Sequence, residues 1–131
     1  MLALDTNVLV RLGTNDSPAQ AQRVQDALDA ELAADGECLV GHIVLCGLVW
    51  VLGRLYGYSI AQRQETVAGL LAFAGLRFES MPAVMNAFKA WQQHGGDWAD
   101  HLIGMQMRAL GCEAVLTLGK QAGKADTRRV I

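Results

Sequence analysis

Charge is scarce in this sequence: only 18% of its 131 residues are Asp, Glu, Lys or Arg, and the formal net charge is −2. That balance excludes a polycation that holds nucleic acid over its whole surface, so any such binding would need a local basic patch. The three cysteines, Cys38, Cys46 and Cys112, form no CxxC pair. A zinc site is therefore not expected, and thiols in such apolar surroundings read as buried and reduced, as in a cytosol. Long apolar runs are missing too. The longest, from Ile43 to Leu52, is broken by Gly47 and is too short to cross a bilayer. The opening MLALDTNVLVRLG has no basic stretch ahead of a long apolar one. A signal peptide is not expected, no membrane partner is expected, and the expected compartment is the cytoplasm. Internal repeats, low-complexity tracts and linkers are absent. So are a Gly-rich phosphate loop and a nucleophile elbow, which leaves a phosphatase or small-molecule enzyme on an unrelated scaffold without support.

What the chain has in quantity is apolar side chain, 52% of the total. Two readings are open: a well-buried sheet, or a surface that is partly an interface. The length suits one domain spanning residues 1–131, with a core that needs neither disulfide nor metal.

The pattern alternates short apolar strands with helices. Met1 to Leu4 reads as a strand, Asp5-Thr6-Asn7 as a strand end and helix cap, and Val8 to Leu12 as a helical turn. Ser17 and Pro18 suit the cap and first position of a helix reaching about Ala34, with Val24, Leu28 and Leu32 on one face. A strand is predicted over Glu37 to Val40, then an apolar helix over Ile43 to Tyr56 that Gly57 ends. Ser59 opens a helix to about Ala74 with Val67, Leu70 and Leu71 inward, and Leu76 to Phe78 is a brief third strand. Helices follow from about Pro82 to Gln93 and from Trp98 to Leu110, with Gly95-Gly96 between them and Gly111 after them. Glu113 to Leu118 is a fourth strand and Arg129 to Ile131 a candidate fifth. Strands separated by helices imply right-handed crossovers and a parallel α/β sheet, whose functional residues gather at the carboxyl ends of the strands.

Asp5 directly follows the first strand. Asp97 and Asp100, spaced i, i+3 at a helix start, can point the same way. This pair has two readings: a solvated cap favoured by the helix dipole, or part of an oxygen-lined pocket for Mg²⁺ or Mn²⁺ serving phosphodiester cleavage.

Four segments carry a resemblance: LDTNVLVRL, IVLCGLVWVLGRLYGYS, GGDWADHLIGMQMRALGCEAVLTLGKQA and the final RRVI. Together, in this order and over nearly the whole chain, they resemble PIN-domain proteins of the VapC type. The resemblance implies a three-layer α/β/α fold around a central parallel sheet of four to five strands. It implies Mg²⁺- or Mn²⁺-dependent endoribonuclease activity, a VapB-type antitoxin partner, an RNA substrate and a homodimer. Carried over by position, the family's first aspartate matches Asp5, and its paired aspartates match Asp97 and Asp100, with Trp98 in the aromatic place. All three are expected catalytic and metal-binding residues. Thr6, Asn7 and Thr117 are expected to support them, capping being an equal reading for Thr6 and Asn7. Two further acids of the family fall on Gly47 and Gly119. Losing two carboxylates should weaken a divalent ion. Gly47 inside a helix costs roughly 1 kcal/mol relative to Ala, for which a close helix–helix contact is one explanation; an exposed turn is one for Gly119.

His42, His94 and His101 share no ligand spacing, and His101 is expected at a surface or interface. Trp50 and Trp91 read as core or interface packing. Arg11, Lys120, Lys124, Arg128 and Arg129 read either as contacts to RNA phosphates or as a solvated rim. The helices over Ile43 to Tyr56 and Ser59 to Ala74 are richer in apolar residues than one buried stripe needs. By resemblance they would form the antitoxin groove, the alternative being a wholly internal core. Two functions therefore stand: a metal-dependent endoribonuclease toxin of a type II toxin–antitoxin system, or a catalytically impaired PIN domain that dimerises and binds antitoxin or RNA.

Overall fold

A computed structural model describes residues 1–119 and 126–131, and these form two compact units, residues 1–79 and 80–131. The first unit runs β1 (Leu2–Ala3), α1 (Thr6–Gly13), α2 (Pro18–Ala33), β2 (Cys38–Val40), α3 (His42–Arg54), α4 (Ile60–Leu71) and β3 (Leu76–Phe78). The second runs α5 (Met81–His94), α6 (Trp98–Ala109), β4 (Val115–Thr117) and β5 (Arg128–Val130). Every strand pair is parallel, and the α/β class expected from the alternating pattern is what the chain adopts. The strands are grouped as β1-β2-β3 in the first unit and β4-β5 in the second, where the sequence predicts one central sheet. Strands of two or three residues offer few ladder bonds, and each ladder here joins no more than three residue pairs. Among the described residues no helix is long and apolar enough to cross a membrane.

In the first unit, α3 buries Leu45, Leu48, Val49 and Leu52, the one stripe that a 3.6-residue period brings round. Leu9 and Val10 of α1, Leu28 of α2, Cys38 and Val40 of β2, Val67 and Leu70 of α4 and Phe78 of β3 are buried with them. Burial pushes the Cys38 thiol pKa up, as expected where a thiolate would lose its hydration. Cys46 is half-buried and Cys112 exposed, so burial of all three thiols does not hold: Cys112 lies in the turn after α6, beyond the last apolar position of that helix. On α2 only Leu28 is fully buried, and Val24 and Leu32 are half-exposed at its flanks.

Helix ends follow local chemistry. Ser59 accepts from the Gln62 amide while the Gln62 side chain accepts from the Ser59 amide, a reciprocal cap that starts α4. Ser17 and Pro18 start α2 as predicted, although the Ser17 hydroxyl makes no cap bond there. At α3 the cap residue is Gly41, with no side chain to give, and Glu79 supplies the anion instead: its Oε1 accepts from the His42 amide at 2.8 Å.

The second unit buries Val84, Ala87, Phe88 and Trp91 of α5 and Trp98 and Leu102 of α6. The Trp91 and Trp98 rings lie 5.3 Å apart. β5 enters this unit through a close approach to α6: a Cβ on Gly104 would lie 2.0 Å from Thr127 Oγ1 and 2.6 Å from Thr127 Cβ. Thr127 is buried, and its carbonyl accepts from Val115 N at 2.8 Å, which sets the start of the β4–β5 ladder.

Gly104→Ala is expected to lower stability by about 1–3 kcal/mol, because the added methyl meets a buried β-branched residue with nowhere to go. Gly69→Ala, on α4 where nothing lies within 4 Å, should instead stabilise by about 0.5–1 kcal/mol. Urea unfolding of the two variants measures both signs.

Candidate functional site

The aspartates singled out from the sequence all stand at helix starts. Asp5 is the N-cap of α1, with φ −97° and ψ 168°, and its Oδ1 accepts from Asn7 N at 2.7 Å. The cap reading of Asp5-Thr6-Asn7 is therefore realised by the Asp5 side chain and the Asn7 amide. Asp97 is the N-cap of α6, and its Oδ1 accepts from Ala99 N at 3.0 Å. Asp100 lies in the first turn of the same helix. Asp97 and Asp100 thus share one helix end in the second unit, while Asp5 belongs to the first.

The end of α6 is fixed by the turn before it. Gly95 and Gly96 take φ of 65° and 75°, a left-handed backbone that glycine adopts without a Cβ penalty. Trp91 Nε1 donates to Gly96 O at 3.0 Å, and His101 Nε2 donates to Gly95 O at 2.7 Å. His101 is accordingly buried rather than at the surface or interface expected for it, against the glycine turn and the stacked ring of His94. Of the two tryptophans read as core or interface packing, Trp91 lies in the core and Trp50 is exposed.

Arg128, read from the sequence as an RNA contact or a solvated rim residue, is instead buried against Asp100. Its Nη2 donates to Asp100 O at 2.8 Å and lies 3.4 Å from Asp100 Oδ1. The Arg128 side chain is only 6% exposed, against 35% for Asp100. Among the described residues its buried Nε has no hydrogen-bond partner. Of the other basic candidates, Arg129 makes a 3.6 Å surface pair with Glu113, a geometry that contributes little to stability. Arg11 is bound to Asp16 at 3.0 Å and to the Tyr56 hydroxyl at 3.1 Å. The Tyr56 hydroxyl, then the Thr14 hydroxyl, hold the Asp16 carboxyl below its usual pKa range. Lys120 and Lys124 lie outside the described residues.

Gly47 and Gly119, the two glycines singled out from the sequence, stand at a helix contact and a turn. A Cβ on Gly47 would lie 2.8 Å from Thr6 Oγ1 and 3.2 Å from Thr6 Cγ2, so α1 and α3 approach closely at that point. That contact accounts physically for a glycine in mid-helix. Gly119 is exposed, and its amide donates to Thr117 Oγ1 at 3.1 Å. Thr117 therefore ties the turn after β4.

A family model described as PIN domain matches residues 2–127. None of the curated proteins matches the chain. Proteins with this domain are generally metal-dependent nucleases, which places the chain among nucleases at that coarse level. At the start of α6 one of the two acids already faces a cation of the chain's own. Hard divalent cations are held by carboxylate oxygens free to turn towards them. Here Asp5 and Asp97 each give one oxygen to a helix cap and keep the other, whereas Asp100 stands beside a buried guanidinium, a cation that competes for the same carboxylate. Among the described residues no three His, Cys, Asp or Glu side chains form a group that could hold a metal ion.

The Thr6–Gly47 contact makes a coupled prediction. Gly47→Ala alone should fail to gain the roughly 1 kcal/mol of helix propensity that Ala offers, because Thr6 must move. In a Thr6→Ala background the same change should recover most of it. A double-mutant cycle by urea unfolding measures the coupling; equal effects in both backgrounds would mean that the contact imposes nothing.

Proposed function

The chain belongs to the PIN-domain family, and we propose that it is the VapC-type half of a type II toxin–antitoxin pair, an endoribonuclease by descent whose depleted acidic site leaves it weak in cleavage. Its working role is to bind a VapB-type antitoxin and RNA as a homodimer in the cytoplasm. The observation that carries this reading is the pairing of Asp100 with a buried guanidinium, beside two glycines at the positions where the resemblance puts acids. Asp5 and Asp97 cap helices, Asp100 is paired with Arg128, and the glycines at 47 and 119 contribute no oxygen.

Partner binding is supported by side chains left in solvent on the first unit. Ile43 and Trp50, seven residues apart and so on one face of α3, are 88% and 61% exposed, and Leu55 just beyond the helix is 70% exposed. Two large apolar side chains exposed on one helix face mark a surface that gains by being covered. They correspond to the expected excess of apolar residues on these helices, and the antitoxin's apolar segment is the occupant that the family resemblance supplies.

The alternative is an active enzyme using Mg²⁺ or Mn²⁺ at Asp5, Asp97 and Asp100, with Thr6, Asn7 and Thr117 in support. One assay separates the two. Structured RNA is incubated with the unmodified chain and with the Gly47→Glu/Gly119→Asp double variant, in Mg²⁺ or Mn²⁺, with Thr6 intact and with Thr6→Ala to make room at position 47. The unmodified chain should cleave roughly 10- to 100-fold more slowly than the double variant, the scale expected when a metal site loses supporting groups. Full-rate cleavage by the unmodified chain that disappears in Asp5→Ala would overturn the impaired reading. No cleavage by either form would count against nuclease descent as a guide to function.

A further inference from the structure

We propose that Arg128 is a resident counter-cation for the acidic start of α6, holding at Asp100 the place that a divalent ion would otherwise take. The inference concerns the second unit alone and stands or falls whether or not the chain cleaves RNA.

A guanidinium does not release its proton at any accessible pH. Burying it therefore demands a counter-charge and acceptors, and an uncompensated buried charge is strongly destabilising. Arg128 has one carboxylate, that of Asp100, within ion-pair distance among the described residues. Its one close hydrogen bond, 2.8 Å, goes to the main-chain oxygen of the same residue, and among the described residues its Nε is left without an acceptor. Neutralisation of this buried cation thus depends on Asp100.

The chain fixes the pair from both sides. Thr127 is seated against Gly104, one helical turn beyond Asp100 on α6, and Arg128 is the next residue. Arg128 is also held in register opposite Val115 in the β4–β5 ladder. Its side chain therefore reaches back one turn along α6 to Asp100 and does not sweep through solvent. Opposite it, Asp100 lies in the first turn of α6, directly after the Gly95-Gly96 turn that Trp91 and His101 clasp. A second cation arriving at this carboxylate meets a charge that can neither be neutralised nor readily withdrawn. Asp97 differs in this respect: its carboxylate is exposed, and its bond to Ala99 N is one that an asparagine side chain can also make.

The sign of an Asp→Asn substitution separates the two possible states of Asp100. In a cluster of carboxylates waiting for a metal, neutralising one relieves repulsion and raises the melting temperature. In a carboxylate that balances a buried guanidinium, the same change strands the cation and lowers it. Thermal unfolding of the metal-free chain should show Asp100→Asn lowering Tm by roughly 5 °C or more, with Asp97→Asn nearly unchanged. In an Arg128→Met background, Asp100→Asn should lose its penalty. Arg128→Met should also bind Mn²⁺ at least tenfold more tightly than the unmodified chain, read by the loss of the free-ion electron paramagnetic resonance signal. A rise in Tm for Asp100→Asn in the unmodified chain would overturn the proposal, as would equal Mn²⁺ affinity with and without Arg128. Should Arg128→Met fail to fold, the contrast between Asp100→Asn and Asp97→Asn decides alone.

Discussion

A buried guanidinium has to be given its counter-charge by the protein, and in the second unit that requirement ties several local choices together. Gly104 lets Thr127 press against α6, Thr127 starts the β4–β5 ladder, and the ladder delivers Arg128 to Asp100. The glycine turn held by Trp91 and His101 sets the helix end at which Asp100 waits. Each of these contacts is modest alone. Together they convert an acidic helix start, which the dipole favours on its own, into one half of an ion pair. The chemistry that PIN domains generally perform asks for carboxylates free to turn towards a hard cation. This unit uses its acids to finish its own structure.

The first unit follows the same economy with different residues. Asp5 closes the first turn of α1, and Glu79 reaches the start of α3, whose own cap residue is a glycine. The space that a side chain at position 47 would need is taken by Thr6. A glycine in the middle of a helix is unfavourable by propensity, yet here it allows the close approach of two helices. What is left unused on this unit is apolar surface, at Ile43, Trp50 and Leu55, which suits a covering partner better than a charged substrate.

Much of this was legible in the sequence because the signals are local. The strand Leu76–Phe78 has the predicted bounds, Ser59 caps α4, Gly57 and Gly111 follow α3 and α6, and Asp5 and Asp97 stand where strand and turn hand over to helix. Periodicity marks the face that Val24, Leu28 and Leu32 share but not its depth, and only Leu28 is fully buried while Val24 and Leu32 are half-buried. Polar residues were harder for the same reason. His101 reads as surface until the glycine carbonyl that receives it is known, and Cys112 reads as buried until the turn that exposes it is seen. Arg128 reads as an RNA contact or a rim cation because nothing in its neighbourhood along the chain announces Asp100, 28 residues earlier. Gly104 gave no signal at all, since its partner Thr127 comes from another element. Contacts between distant segments are what local pattern cannot supply.

The most direct test is an anomalous-scattering map from crystals grown in Mn²⁺. The guanidinium of Arg128 should lie against the Asp100 carboxylate, with no anomalous peak within coordination distance of that residue. A peak bound to Asp100 Oδ1, with Arg128 turned away, would contradict the idea that this chain supplies its own cation.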